Sequence, residues 1–217
     1  MRPFTYDPPQ DDVKIIHADE QFLIVDKPAG LLSVPGKYEH LQDCLEARIQ
    51  AQFPKARIIH RLDTATSGIM VLARTPHAHR HLGLQFENRQ ISKTYIADIW
   101  GKPSEKAGVI NLPLICDWPN RPLQKVDFKI GKPAETKWEI CESNGDITRV
   151  RLNPKTGRSH QLRVHMLELG HPILGDNLYA HDDAFNAAPR MHLHANTLSF
   201  RHPDGGTHLE FKTDCPF

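Results

Sequence analysis

The chain has 217 residues, 39% of them hydrophobic and 24% charged, with a formal net charge of +1. That balance excludes a disordered or fibrous protein and fits one large folded domain or two small ones packed together. The longest apolar run, Ile69 to Ala73, is far too short to cross a bilayer.

Residues 1–10 mix Arg, Asp, Tyr and three prolines without an apolar stretch, so the expectation is a cytoplasmic protein with no membrane partner and, by default, a monomer. Two short strands are expected next, Val13 to His17 and Phe22 to Lys27, the second running into the turn Pro28-Ala29-Gly30. Leu41, Leu45, Ile49 and Phe53 recur every four residues and predict an amphipathic helix stopped by Pro54. Ile58-Ile59 and Ile69 to Ala73 read as buried strands. Between them lies a compact polar connection from His60 to Gly68 that belongs at the rim of a sheet.

A helix is predicted after Pro76 with Ala78, Leu82 and Phe86 on one face, then a strand from Ile91 to Trp100 carrying Lys93, Tyr95, Ala97 and Ile99 on one side. Strands follow at Lys125 to Ile130, Glu135 to Cys141 and Ile147 to Leu152. Ser159 is the expected N-cap of a helix from His160 to Leu169 closed by Gly170, with Leu162, Met166 and Leu169 as its buried stripe and Arg163 at the stripe's edge. After the loop His171 to Asp176, strands are expected near His192 to Phe200 and His208 to Lys212. Many strands and few helices imply an α+β fold, a mixed and largely antiparallel central sheet with flanking helices.

Charge is unevenly spread. Between Lys55 and Arg163 there are 19 Lys+Arg against 10 Asp+Glu, while the two flanks hold 8 against 16. A basic central segment is compatible with a phosphate-binding face, although folding can also re-mix such charges. Cys44, Cys116, Cys141 and Cys215 form no CxxC pair, which argues against a zinc ribbon or a disulfide scaffold. The 14 histidines include His77, His79 and His81, then His192 and His194, and His160 with His165, and invite a metal-hydrolase alternative. No HExxH motif occurs, and the nearby carboxylates lack ligand spacing.

Three constellations can carry chemistry. Arg61-Leu62-Asp63 sits in a Thr/Ser/Gly loop between buried strands, where a carboxylate is placed rigidly. Alone, a loop aspartate more often caps a turn. The second is Arg158 to His165, otherwise an ordinary capped helix, and the third is Lys93-Thr94-Tyr95, otherwise a core tyrosine. In this order, His60 to Gly68, Lys93-Thr94-Tyr95 and Gly157 to His165 resemble the aspartate, tyrosine and arginine motifs of the RluA-type family of RNA pseudouridine synthases. Lys27 to Leu32 and His171 to Asp176 resemble further landmarks, so the likeness runs from about Ile15 to Phe211.

The resemblance implies the pseudouridine synthase catalytic fold and an isomerase that needs no cofactor and no metal. Its partners would be structured RNA, namely rRNA and tRNA stem-loops. The family reaction breaks the bond from uracil N1 to the ribose, turns the base and rejoins the sugar at C5. Asp63 is then the catalytic carboxylate, acting either as nucleophile at the sugar or as base at C2′. Arg163 is the ion-pairing arginine, and Tyr95 stacks on uracil and can take the C5 proton. Arg61, Leu162, His60 and Lys93 are candidates for RNA or base binding, Arg61 as the group that fills the place of the flipped base. A single catalytic domain at 15–217 is expected after an extension at 1–14, without an S4-like RNA-binding domain. The pattern from Pro113 to Pro122 points to the branch that modifies both large-subunit rRNA and the tRNA anticodon loop. A tRNA-only branch and a non-catalytic RNA-binding module are the alternatives.

Overall fold

The computed structural model describes residues 5–217; the first four residues of the expected N-terminal extension lie outside the described residues. Along the chain, β1 (Lys14–Ala18) lies one residue later than expected, and β2 (Phe22–Lys27) has the expected bounds, ending at the Pro-x-Gly turn. The helix expected from Leu41 begins later. A 3-10 turn occupies Glu39–Leu41, and α1 (Leu45–Gln52) starts after Cys44, whose sulfur accepts the Ala47 N–H. The short β3 (Arg57–Ile58) leads through the polar connection to β4 (Ser67–Ala73), and α2 (Pro76–Glu87) is capped by the Thr75 hydroxyl. Then come β5 (Ser92–Trp100), β6 (Ala107–Asn111), β7 (Leu114–Cys116) and β8 (Gln124–Val126).

The expected strand at Lys125 to Ile130 stops at Val126, because the Asp127 carboxylate accepts the N–H groups of Lys129 and Ile130 and turns the chain. Next are β9 (Glu135–Asn144), β10 (Ile147–Pro154), α3 (Gln161–Glu168), α4 (Asp182–Asn186), β11 (Leu193–Arg201) and β12 (His208–Lys212). The strands β6 and β7 and the five-residue α4 had no clear sequence signal. Among the described residues no helix is long and apolar enough to cross a membrane.

The chain forms two compact units. The first comprises residues 5–93 with His194–Pro216. Its sheet runs β1, β2, β4 and β11, with β3 also on β4 and β12 on β11. All pairs are antiparallel except β4 with β11. All seven residues of β4 are buried, which is why it reads as an unbroken apolar run. Phe22, Ile24, Ile69, Val71, Leu82, Leu198 and Phe200 form the core, with the rings of Phe22 and Phe200 edge to face at 5.1 Å. The second unit comprises Thr94–Leu193 with Phe217. Its antiparallel sheet runs β5, β10, β9 and β6, beside the β7-β8 hairpin.

The parallel contact that closes the first unit depends on Gly68. It pairs with Ala195 at φ +117°, and a Cβ there would stand 2.3 Å from the Ala195 carbonyl oxygen. Only glycine fits both demands. Gly68→Ala is expected to cost at least about 3 kcal/mol of stability, seen as a lowered urea midpoint; an unchanged midpoint contradicts the tight β4-β11 approach.

Candidate active site

In the first unit, the connection between β3 and β4 presents Asp63. Its shape is fixed from behind. The ammonium of Lys27, fully buried, donates to the carbonyls of Pro28 (2.9 Å), Leu31 (2.7 Å) and Thr64 (3.2 Å). Three N–H groups thus hold the turn after β2 and the Asp63 loop together. The Ser33 hydroxyl adds a second tie, donating to the Leu62 carbonyl at 2.7 Å and accepting the Leu62 N–H at 3.2 Å. The Gly30 N–H donates to Thr64 O, and Thr66 N–H closes a turn onto Asp63 O. Leu62 faces inward, Asp63 is half-buried and Arg61 is exposed. Arg61 makes no hydrogen bond or ion pair among the described residues, so its guanidinium is uncommitted.

Of the residues beside this loop, His60 turns out to be a structural ring. Its Nε2 accepts the Val71 N–H at 3.1 Å and its face stacks on Phe86 at 4.6 Å. Burial, then the charge of Lys93, pushes its pKa down to about 3. Lys93 is itself lowered by burial. His60 is therefore neutral near pH 7, with one nitrogen spent on β4 and a ring face on Phe86, which marks it as a structural residue and leaves little of it for RNA.

In the second unit, Tyr95 lies half-buried on β5 opposite Leu152 of β10, and the neighbouring Thr94 accepts a hydrogen bond from Asn153. The helix α3 departs from its expected form. Ser159 does not cap it. The N-cap is His160, in a left-handed conformation at φ 54°, with no side-chain cap bond. At the other end, Gly170 N–H bonds to Leu167 O and His171 N–H to Met166 O, the paired bonds of a Schellman motif, so the glycine stop stands where it was expected.

The expected apolar stripe is replaced by burial on nearly every side from Gln161 to Met166, while Leu169 is partly exposed. Polar saturation makes this feasible. Gln161 bonds Thr156, Arg158, Glu135 and Thr136. His165 accepts from Thr136 and donates to Leu112 O, its pKa lowered by burial.

Arg163 is not at the edge of a stripe but fully within the buried part of the helix. It is 3% exposed, and its Nε and Nη2 donate to the two carboxylate oxygens of Asp176 at 2.7 and 2.6 Å. A buried guanidinium is tolerable only with such a partner. Asp176 sits in the His171 to Asp176 landmark, but a Gly-Asp loop by itself gave no sign that its carboxylate would meet α3. A second feature missed in sequence is the exposed group around the β7-β8 hairpin: Trp118, 65% exposed with the Arg121 guanidinium 4.6 Å over its indole, plus Phe128 and Ile130. Among the described residues no group of three or more His, Cys, Asp or Glu is arranged to hold a metal ion.

Comparison with known proteins places these residues in a family. The profile described as RNA pseudouridylate synthase matches residues 21–168, which include the Asp63 loop, Tyr95 and most of α3. This chain belongs to the RNA pseudouridylate synthase family. Among its relatives, the dual-specificity RNA pseudouridine synthases RluA of Salmonella typhi and Escherichia coli strain K12 are each 52% identical over 214 residues, covering 98% of both chains. That of Vibrio vulnificus is 49% identical over 223 residues, covering 100% of this chain and 89% of the relative. The structure of human RNA pseudouridylate synthase domain containing 1 matches with a TM-score of 0.79 at 29% identity, covering 100% of this chain and 87% of that one. Domain containing 4 matches at 0.74 and 26%, covering 93% and 88%. Membership makes the protein an isomerase acting on RNA, with the mixed α+β architecture of these synthases.

The depressed pKa of His60 has a stability consequence. Above pH 6.5 the ring is neutral folded or unfolded, and stability is flat. Between pH 6.5 and about 3 only the unfolded chain takes the proton, so stability falls as pH drops. At pH 5 this amounts to about 2 kcal/mol. In His60→Gln, which keeps an acceptor for Val71, the loss between pH 7.5 and pH 5 in urea unfolding should shrink by about that amount; an identical pH slope in both proteins contradicts the assignment.

Proposed function

We propose that this pseudouridine synthase has dual specificity, converting uridines in a large-subunit rRNA loop and in the tRNA anticodon loop. The observation that carries this reading is the 52% identity over 98% of both chains with synthases bearing that specificity. A tRNA-only activity is the alternative. Pseudouridine mapping on both RNAs after incubation with the purified protein decides between them: modification of both supports dual action, and modification of tRNA alone supports the narrower enzyme.

The reaction draws on three residues. Asp63 supplies an ionised carboxylate at the ribose, from a loop whose backbone Lys27 and Ser33 hold still. Tyr95 stacks on uracil, worth about 1–3 kcal/mol per base, and its hydroxyl takes the C5 proton once the sugar has been rejoined there. Arg163 supplies the guanidinium. The uridine leaves its stack to react, and the exposed, uncommitted Arg61 is suited to occupy the vacated place and to bind phosphate. Leu162 is a wall for the base, and Lys93 a contact for the RNA. The exposed Trp118 with Arg121 over it offers a further face on which an unpaired base can stack. The protein works in the cytoplasm, where its RNA substrates are.

Asp63→Asn should reduce tritium release from 5-tritiated uridine in an anticodon stem-loop by on the order of 10³-fold or more with RNA affinity retained; a near-native rate removes Asp63 from the chemistry. Tyr95→Phe should slow turnover about 10²-fold at unchanged affinity, and a complete loss of binding contradicts the stacking role. Because phosphate contacts come from a basic segment, affinity should fall about 10²-fold or more between roughly 50 and 200 mM salt. A flat salt response in a filter-binding titration argues against that contact.

A further inference from the structure

Arg163 cannot turn freely. Its Nε and Nη2 are both bound by one carboxylate, which fixes the guanidinium plane as well as its position. Asp176 is held in turn. Its Oδ1 also accepts the N–H groups of Leu178 (2.9 Å) and Tyr179 (3.2 Å), and the preceding Gly175, at φ +69°, presses so close to the backbone of Arg190 that a Cβ would stand 2.0 Å from that carbonyl oxygen. Above the guanidinium, 5.1 Å from its carbon, lies the ring of Tyr179. The Tyr179 hydroxyl accepts the Gln124 N–H at 2.8 Å and is bonded to Nδ1 of His160 at 2.7 Å.

His160 is the left-handed N-cap of the helix that carries Arg163. A non-glycine residue in that conformation is strained and persists only where its surroundings over-determine it. Loop, ring and helix cap therefore close on one guanidinium, and the carboxylate is the member that contacts it through two hydrogen bonds.

We infer that Asp176 is a positioning residue for the isomerisation, acting through Arg163: it neutralises the buried guanidinium and aims it, so that Arg163 serves the reaction as a fixed donor edge. This rests on the reading of Arg163 as part of the reaction. A carboxylate that only stabilised the fold would change how much protein is folded. One that aims Arg163 changes the rate of each folded molecule while RNA binding stays.

The test compares Asp176→Asn, which keeps one acceptor for the turn but removes the charge, with Asp176→Glu, which keeps the charge and displaces it by one methylene. Single-turnover rates on a 5-tritiated anticodon stem-loop, dissociation constants for the same RNA, and the folded fraction from urea curves are measured for both, for Arg163→Lys and for the Asp176→Asn, Arg163→Lys double variant. Both single Asp176 variants should lose about 10²-fold in rate per folded molecule, with affinity within about twofold of native. In the Arg163→Lys background, Asp176→Asn should add less than about threefold, because the two act as a unit.

A native rate per folded molecule, or a full loss repeated in the Arg163→Lys background, overturns the proposal. If Arg163→Lys itself turns over at the native rate, the catalytic reading of Arg163 fails first. Should neither Asp176 variant fold, the native protein answers through nitrogen NMR of the Arg163 side chain. Slow guanidinium rotation with a protected Nε–H supports the clamp, and fast rotation overturns it.

Discussion

The placement of Asp63 depends on a single buried ammonium. Lys27 gives up water entirely, and what replaces its hydration is a ring of three backbone carbonyls, two from the turn after β2 and one from the loop that carries Asp63. Carbonyl oxygens in such a turn need donors, and an ammonium with three N–H groups satisfies them in one step. A guanidinium is planar and could not reach three oxygens spread around a point, so lysine and not arginine suits the position. The backbone of the loop is thereby held from its buried side, with Arg61 exposed and Asp63 half-buried upon it.

The second unit solves a related problem with opposite charges. A guanidinium is needed inside, and a carboxylate brought by a glycine-dependent turn compensates it. In both units a group with a proposed role in the chemistry rests on a charged side chain buried behind it. Lys27 ends β2 at the Pro28-Ala29-Gly30 turn and Asp176 follows Gly175, so each supporting side chain adjoins a turn where the backbone can approach closely.

Much of this was legible in the residues. The bounds of β2 and β12, the face of α2 and the stop at Gly170 followed from alternation, periodicity and turn chemistry, because in each case local preference and tertiary packing agree. The aspartate, tyrosine and arginine motifs pointed to the family. What failed to show was governed by partners distant in sequence. Periodicity put Arg163 at the border of an apolar stripe, yet α3 is buried on nearly every side, since Gln161, Arg163 and His165 each find polar partners from elsewhere in the fold. Ser159 looked like a cap, but the chain enters the helix through a strained His160 bonded to Tyr179. The strand expected to reach Ile130 was cut short by Asp127, whose tendency to capture its own following N–H groups outweighed the β-branched residues around it.

The saturation of α3 bears on its motions. Its polar side chains are tied to neighbouring strands and loops, and its last turn is closed by the Gly170 bonds, which oppose fraying from the C-terminal end. Exposing the amides of the buried stretch Gln161–Met166 to solvent then requires the packing around them to open together, so the helix that holds Arg163 is expected among the slower-exchanging parts of its unit.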